Sequence, residues 1–295
     1  MPLAIAYFGL PLGALLLRHD GHELVSVALS RTDAVGYRRA RRRFGERLSV
    51  RPDVHRRAFH DKLRALEVDL VVSWFWTTRL PMDLVELAPL GGIGVHPSLL
   101  PRHRGPDPYF WAIHQGDEVT GVTAHRIAAD YDTGDILGQR TLRVEPTWNA
   151  WNLARALDRP SLALLRATVF AFASGVPPTA HPQDANSATE APAPSDDLME
   201  LVWNIPTNEV LRRVRALAPS PGAFFAFGEH VITVTAARRA TAVPRVLLPG
   251  EACVTGEGVV VRTLDGAIVI VSAEIDEEPA DPEAVIGLFG QDVVP

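Results

Sequence analysis

Short runs of apolar residues recur along the first 175 residues, separated by stretches with a helical period. LAIAYF (3–8), LVSVAL (24–29), VDLVVSW (68–74) and GIGV (92–95) each read as a strand, and the periodic stretches between them read as helices. Continuous apolar strands alternating with helices predict an open parallel sheet with helices on both faces. From Gly121 the pattern becomes two alternating runs around a turn rich in Asp, Thr and Gly, GVTAHRIAADYDTGDILGQRTLRV, which predicts a hairpin-like excursion on the sheet. A long helix is expected from about Trp148 to Ala173.

The segment 176–200 is dense in Pro, Ala, Ser and Asp without apolar periodicity, and is expected to be a solvated linker. Beyond it NEVLRRVRAL (208–217) reads as an amphipathic helix, followed by five short strand-like runs with turn signals about every ten residues. The expectation is an α/β chain of two domains: a Rossmann-like parallel-sheet domain at 1–175 and a small OB-like β-barrel domain at 201–290.

Composition narrows the class. With 295 residues, 47% of them hydrophobic, the chain can bury two cores. A single cysteine, Cys253, excludes a disulfide framework and a thiolate metal site. Absence of a signal-like start or a membrane-length apolar stretch leads to the expectation of a cytoplasmic protein away from the membrane. Glycines Gly9 and Gly13 do not have the G-x-G-x-x-G spacing, so a dinucleotide is not expected. The formal charge of −6 counts against broad nucleic-acid binding. Against it stand Arg38, Arg39, Arg41, Arg42, Arg43 and Arg47, which a helix with Ala40, Phe44 and Leu48 on its apolar side would turn to solvent. The bland reading of that face is solvation; the other is a phosphate or RNA contact.

Candidate chemistry centres on His96, just past the end of a central strand, where open α/β sheets place their ligands. Asp132, in DYDTGD, sits on a turn able to fold back towards it. A histidine paired with a carboxylate suits amine chemistry, in which a base removes a proton while the nitrogen attacks. Asp130 and Asp135 fit the role of turn formers.

HPSLLPRHRGPDPYFWAI (96–113) followed by GDEVTGVTAHRIAADYDTGDILGQ (116–139) resembles the core signature of the formyltransferases that use 10-formyltetrahydrofolate. That family includes methionyl-tRNA and sugar-nucleotide formyltransferases. The resemblance continues through WNIPTNEVLRRVRALAPSPGAFF (203–225), similar to the start of the family's C-terminal domain. It implies formyl transfer from 10-formyltetrahydrofolate, without a metal, to a primary amine. His96 would handle the proton and Asp132 would be its partner.

The family's third catalytic residue, an Asn two positions before the His, corresponds to Gly94. Its amide would polarise the formyl carbonyl, a role for which glycine has no side chain. Two readings stand open. A substitute donor (Ser98, His103, Thr123, a backbone N–H or water) keeps the chemistry, or the site serves altered one-carbon chemistry or binding without turnover. On the first reading Gly94→Asn is expected to raise the transfer rate. The resemblance also implies a pterin pocket lined by Trp74, Phe75 and Trp76, by Ser98 and Leu99 of the SLLP turn, and by Asp130 on the approach to the catalytic Asp. The acceptor expected from the acidic balance is a small amine such as an amino sugar nucleotide, with aminoacyl-tRNA as the alternative. The sequence sets no oligomeric state.

Overall fold

The computed structural model describes residues 1–243 and 246–290. It divides into two compact units, one made of 1–108, 119–143 and 156–191 and the other of 109–118, 144–155 and 192–295.

In the first unit β1 (Ala4–Gly9), α1 (Pro11–His19), β2 (Glu23–Leu29), α2 (Tyr37–Phe44), β3 (Leu48–Val50), α3 (Arg57–Arg64), β4 (Leu70–Trp74), α4 (Met82–Val85) and β5 (Gly92–His96) follow one another. α5 (Pro108–Gln115) falls almost wholly in the second unit, after which β6 (Val119–Arg126), β7 (Ile136–Arg143) and most of α6 (Ala150–Ala173) belong to the first. Seven strands form one sheet in the order β3-β2-β1-β4-β5-β6-β7. The first five are parallel, whereas β6 runs antiparallel to β5, and β7 antiparallel to β6. The sheet is therefore mixed, and the expected hairpin supplies its last two strands.

Burial on both faces explains the unbroken apolar runs: Ile5, Ala6, Tyr7 and Phe8 are all fully buried. A core cluster packs Phe8, Ala28, Val71, Leu84 and Val85 on one side of the sheet. In α2, Ala40 and Phe44 are buried while Arg38, Arg39, Arg41, Arg42 and Arg43 are exposed, as the stripe predicts. Leu48 leaves the helix and starts the short β3.

The segment 176–200, expected to be a linker, lies along the first unit as far as Ala191. His181 exchanges both backbone hydrogen bonds with Ile136. The Thr189 N–H donates to the Pro101 carbonyl, and the Arg104 N–H donates to the Thr189 carbonyl. Ala191, fully buried, donates to the Arg104 carbonyl and accepts from the Asp107 N–H. A Pro- and Ala-rich segment lacks apolar periodicity for a different reason from a solvated tether: its backbone is satisfied by neighbouring loops rather than by its own helix or sheet.

The second unit contains α7 (Asp196–Met199), α8 (Thr207–Leu217), β8 (Ala223–Phe227), β9 (His230–Arg239), β10 (Ala252–Thr255), β11 (Gly258–Arg262), β12 (Ala267–Ile275), β13 (Glu278–Ala280) and α9 (Pro282–Gly290). Its strands are antiparallel in the order β10-β11-β12-β9-β8, with β13 on β12. Among the described residues, six strands thus stand where five were expected. Among the described residues, no helix is long and apolar enough to cross a membrane.

Candidate active site

Strands β5 and β6 place the candidate residues by register. Gly94 pairs with His125 and His96 with Thr123. Directly paired residues share a face and alternate residues return to it, so positions 94, 96, 123 and 125 all face one side of the sheet. The turn between β6 and β7 then carries Asp132 back over that side. Its backbone is left-handed at Asp132 (φ 56°), a conformation uncommon outside Gly but one that Asp adopts more readily than most residues. Gly134 makes the fold-back possible, since a Cβ there would lie 1.9 Å from the Arg126 carbonyl oxygen.

Asp132 stands between two imidazoles. Its Oδ2 lies 3.4 Å from His96 Nδ1 and its Oδ1 3.5 Å from His125 Nε2. Oδ2 also accepts the Gly105 N–H at 3.0 Å. The far nitrogen of each ring meets a carbonyl: His96 Nε2 that of His103 at 2.7 Å, and His125 Nδ1 that of Arg126 at 2.8 Å. A carbonyl only accepts, so both far nitrogens carry hydrogen and the near nitrogens are left to exchange protons with the carboxylate or a ligand. Burial pushes His125 below the ordinary histidine value, Asp132 opposes that, and the nearby His96 adds to the lowering. The His96 and Asp132 side chains are 7% and 18% exposed, which leaves the pair shielded yet reachable.

The turn after β5 is locked by its own polar groups. The Ser98 hydroxyl donates to the Arg102 carbonyl, and that of Thr123 donates to the Ser98 carbonyl while accepting the Leu100 N–H. Gln139 donates to Thr123 Oγ1 and to the Leu100 carbonyl. Two of the substitute donors weighed from sequence, Ser98 and Thr123, are thus engaged in holding the loop. His103 is buried, and its carbonyl holds His96. Leu99 packs over Gly121, whose missing Cβ would meet it at 2.6 Å.

Of the three aromatic candidates, Trp74 is buried and donates its indole N–H to Ser161 Oγ at 2.5 Å. Trp76 sets its edge against Phe8 at the border of the core. Phe75 is half-buried with left-handed backbone (φ 56°) and stacks edge-on with Trp74. Asp130 is exposed, and its carbonyl accepts the Thr133 hydroxyl, a turn-forming contact. The structure brings His96, Asp132 and Gly94 together, and sets Trp74 and Asp130 apart from them in role. Sequence reasoning missed His125 and Gln183. The first had a signal, two residues after Thr123 in an alternating strand; the second sits in a segment with no pattern at all.

Two family models match the chain. The formyl transferase model matches residues 14–168, more than half of the chain, and the formyl transferase C-terminal domain model matches 195–286. The chain belongs to the formyl transferase family. A methionyl-tRNA formyltransferase of Koribacter versatilis is 36% identical over 203 residues, 69% of this chain and 64% of that protein, so less than two thirds of that relative's length is covered. Another from Anaeromyxobacter dehalogenans is 32% identical over 295 residues, 94% of each chain. Among solved structures, HypX from Aquifex aeolicus in complex with tetrahydrofolic acid is similar at a TM-score of 0.69 and 21% identity, covering 99% of this chain and 48% of that one. An N-formyltransferase from Helicobacter canadensis, in complex with folinic acid and dTDP-3-aminofucose, has a TM-score of 0.69 at 14% identity, covering 91% and 98%. At these identities the two structures establish a shared fold. Among the described residues, no group of three or more His, Cys, Asp or Glu side chains is placed to hold a metal ion.

Proposed function

We propose that this protein transfers the formyl group of 10-formyltetrahydrofolate to the amino group of an aminoacyl-tRNA. The observation that carries the chemistry is the His96–Asp132 pair at the carboxyl end of β5, with the imidazole's tautomer set by the His103 carbonyl. His96 Nδ1 accepts the proton that the attacking amine gives up, and Asp132 orients the ring and balances the imidazolium. The shielded surroundings strengthen that pairing by keeping water from it. A folate donor suits such a site because it brings an activated acyl carbon and asks of the protein only proton handling and a hydrogen-bond donor for the carbonyl oxygen.

Two observations favour tRNA over the small amine expected from net charge. The curated relatives that match over most of the chain at 32–36% identity are methionyl-tRNA formyltransferases. The exposed arginines of α2 offer a local surface for phosphates despite the overall charge of −6. The test supplies 10-formyltetrahydrofolate with charged initiator tRNA or with a panel of nucleotide-linked amino sugars and identifies the product by mass spectrometry. Formylated aminoacyl-tRNA whose formation weakens steeply with salt is expected. Product from an amino sugar alone would overturn the acceptor, and no formylated product from any amine would overturn the reaction.

A further inference from the structure

A neutral imidazole carries one ring proton, and the ring of His96 has an acceptor at each nitrogen: the His103 carbonyl 2.7 Å from Nε2 and Asp132 Oδ2 3.4 Å from Nδ1. Only a proton on Nε2 leaves Nδ1 free to take another from an amine. A carboxylate is the stronger acceptor, so the short bond to the carbonyl has to be secured by whatever holds His103 in place. The His103 backbone is left-handed (φ 58°), a conformation in which a residue other than glycine needs support from its surroundings.

Thr189 gives that support on both sides of His103. Its Oγ1 accepts the His103 N–H at 2.9 Å, and its carbonyl accepts the Arg104 N–H at 2.8 Å. Its own N–H donates to the Pro101 carbonyl, which ties Thr189 to the same loop. The peptide between His103 and Arg104 is trans, so its N–H and C=O point in opposite directions. With the N–H on Thr189, the oxygen is turned the other way, and that is where His96 Nε2 stands. An acceptor on the N–H side also polarises the carbonyl and strengthens its bond to the imidazole. Residues 96, 101–104 and 189 all belong to the first unit.

We infer that Thr189 is a positioning residue for formyl transfer: through the His103 peptide, its hydroxyl and carbonyl hold the ring proton of His96 on Nε2 and keep Nδ1 available as the base. The inference rests on the formyl-transfer reading above. Thr189 acts through His103 and His96, not on the reacting atoms. Without its hydroxyl the His103 N–H loses an acceptor and the neighbouring peptide is free to turn. The proton of His96 then moves to Nδ1, where the Asp132 carboxylate accepts it, and the base is lost although both members of the pair are present. Thr189 is half-buried, so removing one hydroxyl there opens no hole in the core.

The experiment compares Thr189→Val, which keeps the shape without the acceptor, with Thr189→Ser, which keeps the hydroxyl; Thr189→Ala replaces the valine variant should that one not fold. Each is read by melting, by steady-state kinetics, and by nitrogen NMR of the ligand-free, histidine-labelled protein in alkaline buffer. The His96 signals are identified by their loss in His96→Ala. In the wild type His96 should carry hydrogen on Nε2 and none on Nδ1. Thr189→Val should shift it towards the Nδ1–H form and lower turnover about tenfold or more, with the KM for the folate within a few-fold. Thr189→Ser should keep the wild-type pattern and about a third or more of the turnover. A wild type with its proton on Nδ1 would overturn the inference whether or not any variant folds. So would a folded Thr189→Val with an unchanged His96 pattern, or with turnover within about twofold of wild type, and so would a serine variant that behaves like valine. Should the wild type formylate no amine, the functional reading fails instead. The shift of the His96 proton between wild type and Thr189→Val then still tests the positioning, and its absence would refute it.

Discussion

The side-chain amide of Gln183 donates to the backbone carbonyls of Asp132 and Gly134, each at 2.7 Å, while its oxygen accepts Arg104 Nε at 3.0 Å and Nη2 at 2.7 Å. One residue thus ties the turn that carries Asp132 to the loop whose His103 carbonyl fixes His96. Gln183→Glu keeps the partner for Arg104 and removes both donors to the turn. Its expected effect is a fall in turnover of about tenfold or more with little change in donor KM, together with a stability loss of about 1–3 kcal/mol. Steady-state kinetics and thermal melting check it; unchanged turnover would mean that the turn holds its shape without the clamp.

His96→Ala should remove about 10²–10⁴-fold of turnover while leaving folate affinity within a few-fold, since the imidazole acts on the amine. Asp132→Asn should lose a comparable amount and melt lower, because Oδ2 also accepts the Gly105 N–H. Isothermal titration with the folate beside turnover separates the two roles. Retained turnover in His96→Ala would remove it from the chemistry.

Composition alone places the protease-sensitive tether anywhere between about Pro178 and Ser195. The backbone bonds of His181, Thr189 and Ala191 narrow that window. Brief digestion with subtilisin should cut first at 192–199, leaving an N-terminal fragment that keeps 176–191. Mass spectrometry of the first products reads the result, and a first cut before Thr189 would show that the segment is held too weakly to matter.

In the second unit, the Glu257 carboxylate takes the Thr241 hydroxyl at 2.6 Å and Arg238 Nη1 at 2.5 Å. The Thr241 hydroxyl first, then Arg238, lower its pKa from 4.5 to about 2. A folded value below the unfolded one adds stability above about pH 4.5 that is lost as pH falls towards 2. Melting of wild type and Glu257→Gln should therefore differ at neutral pH and converge in acid. A difference that persists unchanged at low pH would assign the effect to packing.

Much of the frame was legible because burial leaves a simple trace. The strands β1, β2, β4 and β5 are buried on both faces and read as unbroken apolar runs. The three-residue β3 was absorbed into the arginine helix, since Leu48 continues its stripe. His96 and Asp132 stood out through their turns, but no pattern in one strand reveals its register against another. The pairing of Gly94 with His125 is a property of two segments thirty residues apart, and only the sheet states it. Gln183 is similar: its partners are backbone carbonyls, which every residue has.

The cross-strand contact of Gly94 and His125 also constrains how such a sequence can change over generations. A side chain at 94 would meet the far end of the His125 ring at 2.9 Å, so it is accommodated when the ring gives way. The effect of any residue placed at 94 therefore depends on the residue across the strand.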